Sequence, residues 1–238
     1  MHRRIERYAR VDSTMTIAAK LAAEGCPSGT IVVADEQTAG VGRHGRTWIS
    51  EKGAGLYASI VLRLPVEARI LPVVMLALGL ATQEAIVEVT ALAPDLRWPN
   101  DVLIDGRKCA GILAQLEGDA IIAGIGVNIA QTSFPLDVAT PATSLLLAGA
   151  RVDRDELLTV LADAVDRYCR ILCDEGASAI LRMFEASSSY ARGRRVHVDQ
   201  AGGALEGVTQ GLDPSGFLII EQDDGRRTTI YTGGVRSA

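Results

Sequence analysis

The feature that most limits how this chain can fold is a glycine-rich segment held between two apolar runs. Residues 31–34 and 55–64 both read as strands. Between them lies Gln37-Thr38-Ala39-Gly40-Val41-Gly42-Arg43-His44-Gly45-Arg46-Thr47-Trp48. Glycine reaches φ > 0 and lets a ligand or another backbone approach closely. Arginine adds planar donors suited to phosphate or carboxylate. Such a loop hangs off the end of a sheet and is free to order over a bound anion. The glycines at 40, 42 and 45 satisfy G-x-G-x-x-G, but a strand follows where a dinucleotide fingerprint needs a helix. The Gly-Lys-Ser/Thr ending of a Walker A loop is missing as well. Taken alone, the segment also fits a solvated surface turn.

Three further blocks narrow the choice. They are Arg97-Trp98-Pro99-Asn100-Asp101-Val102, Lys108-Cys109-Ala110-Gly111-Ile112-Leu113 and Gly124-Ile125-Gly126-Val127-Asn128-Ile129. With the loop, they resemble biotin protein ligases. That family carries, in this order, a glycine-arginine loop ending in Trp, then Lys-Trp-Pro-Asn-Asp, Lys-x-x-Gly-Ile-Leu and Gly-x-Gly-x-Asn. The resemblance runs from Asp12 to Arg236. Two positions depart from it. Val41 stands where the family has the first arginine of Gly-Arg-Gly-Arg, so one contact must be lost or made by backbone. Arg97 stands where the family has lysine, which turns a compact ammonium into a planar fork.

The 238 residues suffice for one large unit and a small one. Hydrophobic residues make up 48% and charged residues 22%, enough for a sizeable core. A net charge of −5 argues against a general nucleic-acid surface. The N-terminus lacks a charged-then-apolar leader, which points to the cytoplasm. The uncharged, mostly apolar run over residues 70–83 holds Pro72 and Gly79 and reads as a buried helix, not a membrane span. Cys26, Cys109, Cys169 and Cys173 show no zinc spacing with His2, His44 or His197. They read as small buried hydrophobes in a reducing compartment, and no metal-ligand set is expected.

In chain order, a strand over 5–11 leads to Asp12-Ser13-Thr14, which opens a helix that Gly25 closes. An apolar helix covers 70–92. Asp105-Gly106 between apolar runs predicts a type I′ hairpin. The strand returns over 108–117, turns at Gly118-Asp119 and continues over 120–129. This meander puts Lys108 and Asn128 on neighbouring strands. A loop is expected over 132–142, then helices over 153–174 and 177–188, the first with a solvated charged turn. Ser187-Ser188-Ser189 reads as a linker. Beyond Arg192, short strands broken at 201–203, 213–216 and 223–225 suggest a small barrel. Its six arginines and six acids offer no basic face. The fold class is α+β: helices on a mainly antiparallel sheet over 1–188, and a small β unit over 189–238. The resemblance implies the class II aminoacyl-tRNA synthetase-like fold of biotin–lipoate ligases with an SH3-like C-terminal domain.

The residues themselves describe an anion site. Arg43, Arg46 and Lys108 supply charge; Asn100 and Asn128 supply amides suited to a purine edge. Gln37 offers an amide to a polar uncharged ring, and Trp48 an apolar wall. That set suits an enzyme that adenylates a small carboxylic acid. The resemblance implies the rest. Biotin and ATP give biotinyl-5′-AMP, and biotin then passes to a lysine of the biotin carboxyl carrier protein of acetyl-CoA carboxylase. Ser13 and Thr14 would hold the ureido ring, with Gln37, Gly40, Val41, Gly42 and Trp48 around the ligand. Gly111 and Ile112 would line its chain. Lys108 is the expected point charge at the first transition state, and Arg43 the group that closes over it. Asn100 would orient the nucleotide, Asn128 read adenine or hold the sheet edge, and Arg46, Arg97 and Arg236 sit near phosphates. Asp101 would accept from the incoming lysine or brace the turn. Mg²⁺ would be held mostly by phosphate oxygens and water. A sheet edge could take the carrier or a second copy of the chain, giving a homodimer. No DNA-binding module is seen ahead of the first strand, so neither DNA nor a membrane is an expected partner. The rival readings are a lipoate or octanoate ligase and a non-catalytic biotin-binding regulator.

Overall fold

The apolar runs assemble into a sheet covered on both faces, as seen in a computed structural model that describes residues 3–135, 141–200 and 203–238. Its strands are β1 (Ile5–Tyr8), β2 (Ile31–Ala34), β3 (Gly55–Leu62), β4 (Asp95–Arg97), β5 (Asp101–Ile104), β6 (Arg107–Glu117) and β7 (Ala120–Asn128). They lie in the order β1-β2-β3-β7-β6-β5-β4. Only β1 and β2 pair in parallel; the other neighbours are antiparallel. The predicted hairpin joins β5 and β6, with φ positive at both Asp105 and Gly106, as a type I′ turn requires.

Helix α1 (Thr14–Ala23) covers one face; α2 (Leu71–Thr90), α3 (Arg154–Glu175) and α4 (Ala177–Ser187) cover the other. Strand alternation explains how β3 stays buried throughout. Leu56, Ala58, Ile60 and Leu62 join the α2 and α3 core, while Val61 packs under α1 with Val32 and Ile122. Helix α2 is long and apolar enough to cross a bilayer by composition, yet most of it is buried in this core. Ser13 caps α1 by accepting from Met15 N at 3.3 Å, and Gly25 follows at φ +83°. The loop expected over 132–142 falls partly outside the described residues. Ala142, at its end, bridges to Lys108.

Residues 192–237 form a second sheet from β8 (Arg192–Gln200), β9 (Gly203–Leu212), β10 (Leu218–Glu221), β11 (Arg227–Ile230) and β12 (Gly234–Ser237). The order β11-β10-β9-β8-β12 leaves the ladder open between β11 and β12, so it is not the closed barrel the turn spacing suggests. The two sheets pack against each other away from the cleft. Trp98 Nε1 donates to Gly216 O at 2.9 Å, and Val196, Val198, Leu218 and Ile220 belong to the same core as α2.

Three local expectations change. Residues 187–189 are no loose linker: Ser188 is buried and donates to Leu96 O at 2.6 Å, and Ser189 N donates to Asp95 at 2.9 Å. The first turn of α3 is not simply solvated. Asp153 caps it, while Arg154 pairs with Asp35 and Asp155 with Arg7, tying the helix to β1 and β2. Cys26, Cys109 and Cys169 are buried, but Cys173 is exposed.

Candidate active site

The glycine loop folds back on itself as a tight hairpin. Gly42 N donates to Arg46 O at 2.7 Å and Trp48 N to Gly40 O at 2.9 Å. Gly40 has no room for a side chain, because Trp48 O and Ser50 Oγ lie against it. His44 and Gly45 take positive φ at the tip. The Trp48 ring then lies across β6 and β7. A Cβ on Gly126 would come within 2.5 Å of the ring, and one on Gly111 within 2.9 Å. Both glycines are therefore seats for the indole, and Gly111, expected to line a ligand chain, also borders the chamber.

The loop divides two cavities. A chamber of about 60 Å³ lies over α1, β3 and β7; an open cleft of about 590 Å³ lies towards the second sheet. Gly42, Arg43, Trp48, Asn100 and Lys108 border both. Ser13, Thr14, Gln37, Val41, Gly111 and Ile112 border the chamber alone. Arg46, Arg97, Asp101, Asn128 and Arg236 border the cleft. Of the expected residues, Gly40 alone borders neither.

The chamber floor is polar, uncharged and internally bonded. Gln37 Oε1 accepts from Thr14 N at 2.8 Å and from Thr14 Oγ1 at 3.0 Å. Gln37 Nε2 donates to Ser50 Oγ at 2.8 Å. Thr14 Oγ1 lies 2.8 Å from Ser59 Oγ. Gln37 was expected to offer its amide to a ligand ring; its oxygen is already committed to Thr14. Val41 is 45% exposed and bridges to Thr47, so no cation replaces the family arginine there.

The wall carries the charges. Asp101 pairs with Lys108 Nζ at 2.5 Å and with Arg97 Nη2 at 2.6 Å. Burial works to raise the Asp101 pKa, but Lys108 and then Arg97 outweigh it and hold the carboxyl below its ordinary range. Arg97 also lies 5.9 Å from the Tyr190 ring centre and Lys108 5.3 Å from that of Trp48. Arg43 Nη1 donates to Asn100 Oδ1 at 3.3 Å and to Gly233 O at 3.4 Å, so the loop touches both sheets. Burial lowers the Arg43 pKa, Asp101 opposes this, and Arg46 adds to it. His44 meets Thr232 at 3.3 Å. Across the cleft Arg236 pairs with Asp199 at 2.6 Å.

Both asparagines are held by hydrogen bonds within the protein. Asn100 Nδ2 donates to Ile112 O at 2.9 Å and its Oδ1 receives Arg43, so it braces the wall. Asn128 Nδ2 donates to Thr143 O at 3.0 Å and its Oδ1 accepts from Gln131 at 3.3 Å, which ties the end of β7 to the segment at Thr143. Cys109 is no nucleophile: burial pushes its thiol up to about 12. The sequence reading missed Ser50, Ser59, Asp199 and Gly233. Ser59 did carry a signal, as a hydroxyl inside an otherwise apolar strand.

A chamber and a cleft joined by a lysine wall on this sheet define a carboxylate-activating ligase fold, and the chain belongs to the biotin/lipoate A/B protein ligase family, whose model matches residues 8–130. Residues 192–235 match the biotin protein ligase C-terminal domain. The biotin–[acetyl-CoA-carboxylase] ligase of Mycobacterium tuberculosis is 34% identical over 98% of this chain and 88% of its own length. The bifunctional ligase/repressor BirA of Bacillus subtilis is 33% identical over 94% of this chain and 71% of its own. Among solved structures, biotin protein ligase from Aquifex aeolicus in complex with biotin and ATP superposes with a TM-score of 0.86. That match has 31% identity and covers 99% of each chain.

Proposed function

We propose that this chain is an ATP-dependent biotin protein ligase. It adenylates biotin and transfers it to a lysine of the biotin carboxyl carrier protein of acetyl-CoA carboxylase. One observation carries the reading: a chamber with an uncharged floor and a cation-rich cleft meet at Lys108 and Arg43. An acid whose head fills the chamber presents its carboxylate at the wall, where a nucleotide in the cleft presents its α-phosphate. The names of the Mycobacterium and Aquifex relatives support the same pair of substrates.

In the first step a carboxylate oxygen attacks the α-phosphorus. The bond from that phosphorus to the bridging oxygen breaks, and pyrophosphate leaves. Charge gathers on the carboxylate and phosphate oxygens, where the Lys108 ammonium is the available point charge and Asp101 holds it in place. In the second step a deprotonated carrier lysine attacks the anhydride carbonyl, AMP leaves and an amide forms. Arg43, held at Asn100 and Gly233, closes the wall and keeps water from the anhydride. Thr14 and Gln37 hold the acid head; Arg46 and Arg236 flank the nucleotide.

For Mg²⁺ the protein side fits poorly. Asp101 is already paired to two cations, and among the described residues no group of three metal-binding side chains converges. A divalent ion would arrive as the nucleotide's counter-ion, and no step here is routed through it. Residues 113–117 of β6 run past the end of β5. That free edge is where we place the carrier domain or a second copy. The four free cysteines are consistent with a cytoplasmic setting. We take residues 1–188 as the catalytic unit and 189–238 as its partner in closing the cleft.

The test is ATP–pyrophosphate exchange with biotin, lipoate and octanoate as alternative acids. Exchange supported by biotin alone is the expected result. Exchange with lipoate or octanoate in its place would move the chain to the other branch of the family.

A further inference from the structure

Residues Tyr57, Ser59 and Val61 of β3 point away from the α2 core, and Val61 packs under α1. Ser59 therefore occupies a position in a packed row, and it is 0% exposed. A hydroxyl there costs stability unless it finds a partner. The partner is Thr14 Oγ1 at 2.8 Å.

The direction of that bond follows from chemistry. Thr14 N–H can only donate, so the Gln37 atom at 2.8 Å from it is the carbonyl Oε1. Oε1 can only accept, so the Thr14 hydroxyl, 3.0 Å away, sends it its single hydrogen. Ser59 must then donate to Thr14 Oγ1. This leaves Thr14 Oγ1 with one lone pair and no hydrogen at the edge of the chamber. Ser13 Oγ accepts from Met15 N and keeps its own hydrogen. Gln37 Nε2 gives one hydrogen to Ser50 and keeps a second. The floor thus offers a fixed acceptor together with donors, the complement of an N–H beside a carbonyl.

We infer that Ser59 is a positioning residue for acid selection: by donating to Thr14, whose hydrogen Gln37 already holds, it occupies one lone pair of the Thr14 oxygen and aims the other at a ligand N–H. The chamber is thereby biased towards a cyclic urea over a dithiolane or a plain alkyl chain. Ser59 does not border the chamber, so it acts through Thr14. The inference rests on the biotin reading above.

The experiment compares the wild type with Ser59→Ala by calorimetric titration with biotin, desthiobiotin and octanoate, and by exchange kinetics. Desthiobiotin keeps the urea and lacks the sulfur. For Ser59→Ala, Kd and KM for both ureido acids rise about 5–10-fold, the worth of one hydrogen bond. Octanoate binding, KM for ATP and kcat at saturating biotin stay within about twofold, because no charged group is touched. In a Thr14→Val background, adding Ser59→Ala weakens biotin no further. Equal biotin affinity in wild type and Ser59→Ala overturns the assignment, as does parallel weakening of biotin and octanoate. A second measurement needs no variant. Biotin methylated on both ureido nitrogens has no N–H to give, and its binding the wild type as tightly as biotin also overturns the inference. Failure of the wild type to bind any ureido acid sinks the biotin reading itself, whereas failure confined to the Ser59→Ala comparison sinks only the role of Ser59.

Discussion

The chamber beside Thr14 and the cleft beside Arg236 share a wall but are built on opposite rules. On the chamber floor, Thr14 and Gln37 bond to each other and to Ser50 and Ser59 behind them, and no charge is present. Such a surface discriminates by the direction of its hydrogen bonds, and salt leaves it largely alone. In the cleft, Lys108, Arg97 and Arg236 gather round Asp101 and Asp199. That surface discriminates by charge, and its exposed members are screened by salt. The wall between them is one indole thick, because Gly111 and Gly126 let Trp48 lie directly on the strands. A neutral head and a polyanionic partner can thus be sorted by different physics and still meet.

Lys108→Ala strikes the charged side hardest. Biotin-dependent exchange is expected to fall about 10²–10³-fold, while biotin itself still binds. Equal loss of both would erase the division between the two cavities. Asp101→Asn comes next. It removes the carboxylate charge that Lys108 and Arg97 share, and a loss of about 3 kcal/mol is expected from urea unfolding at pH 7. The Asp101 pKa is depressed in the folded protein. Its contribution is therefore present above the unfolded carboxylate value of about 3.9 and is lost as pH falls through the folded value. Variant and wild type should converge in acid, and a constant gap down to the lowest accessible pH would contradict the pairing.

Gly126→Ala tests the wall. Its methyl meets the Trp48 ring, at an expected cost of about 2 kcal/mol if the ring stays and packs under strain. If the ring is displaced instead, tryptophan emission shifts to the red, since Trp98 is buried and reports little. Unchanged stability together with unchanged emission would mean that the indole does not rest there. Arg43→Gly is the mildest change. Adenylation persists, but bound biotinyl-AMP escapes about tenfold faster for want of one charged hydrogen-bonding group. Rapid filtration of the loaded enzyme measures this, and wild-type retention would remove Arg43 from the closure.

The strand meander was legible because Asp105-Gly106 and Gly118 announce their turns locally, and α1 because its cap and closing glycine lie within its own sequence. The order of the four blocks located the site. What stayed hidden depends on partners far away in the chain. For Asn128 the sequence left open reading adenine or holding the sheet edge, because it does not reveal the bonds to Thr143 and Gln131. The bonds of Asn100 to Ile112 and Arg43 were hidden because those residues reach it only in three dimensions. Residues 187–189 carry the composition of a linker, yet Asp95 and Leu96 hold them from across the fold. Gly111 was expected to line a ligand chain; a glycine within a strand marks any close approach, and here Trp48 also lies against it, a contact the sequence does not announce.

Trp98 carries a consequence for how the molecule comes apart. Its ring nitrogen spends its one hydrogen on Gly216 across the seam, and apolar side chains from both sheets form a single core. Neither sheet can loosen alone without stranding a buried donor and wetting the other's interior. Melting is therefore a single cooperative event, and the two halves, separated by proteolysis, would each lose the surface against which they are folded.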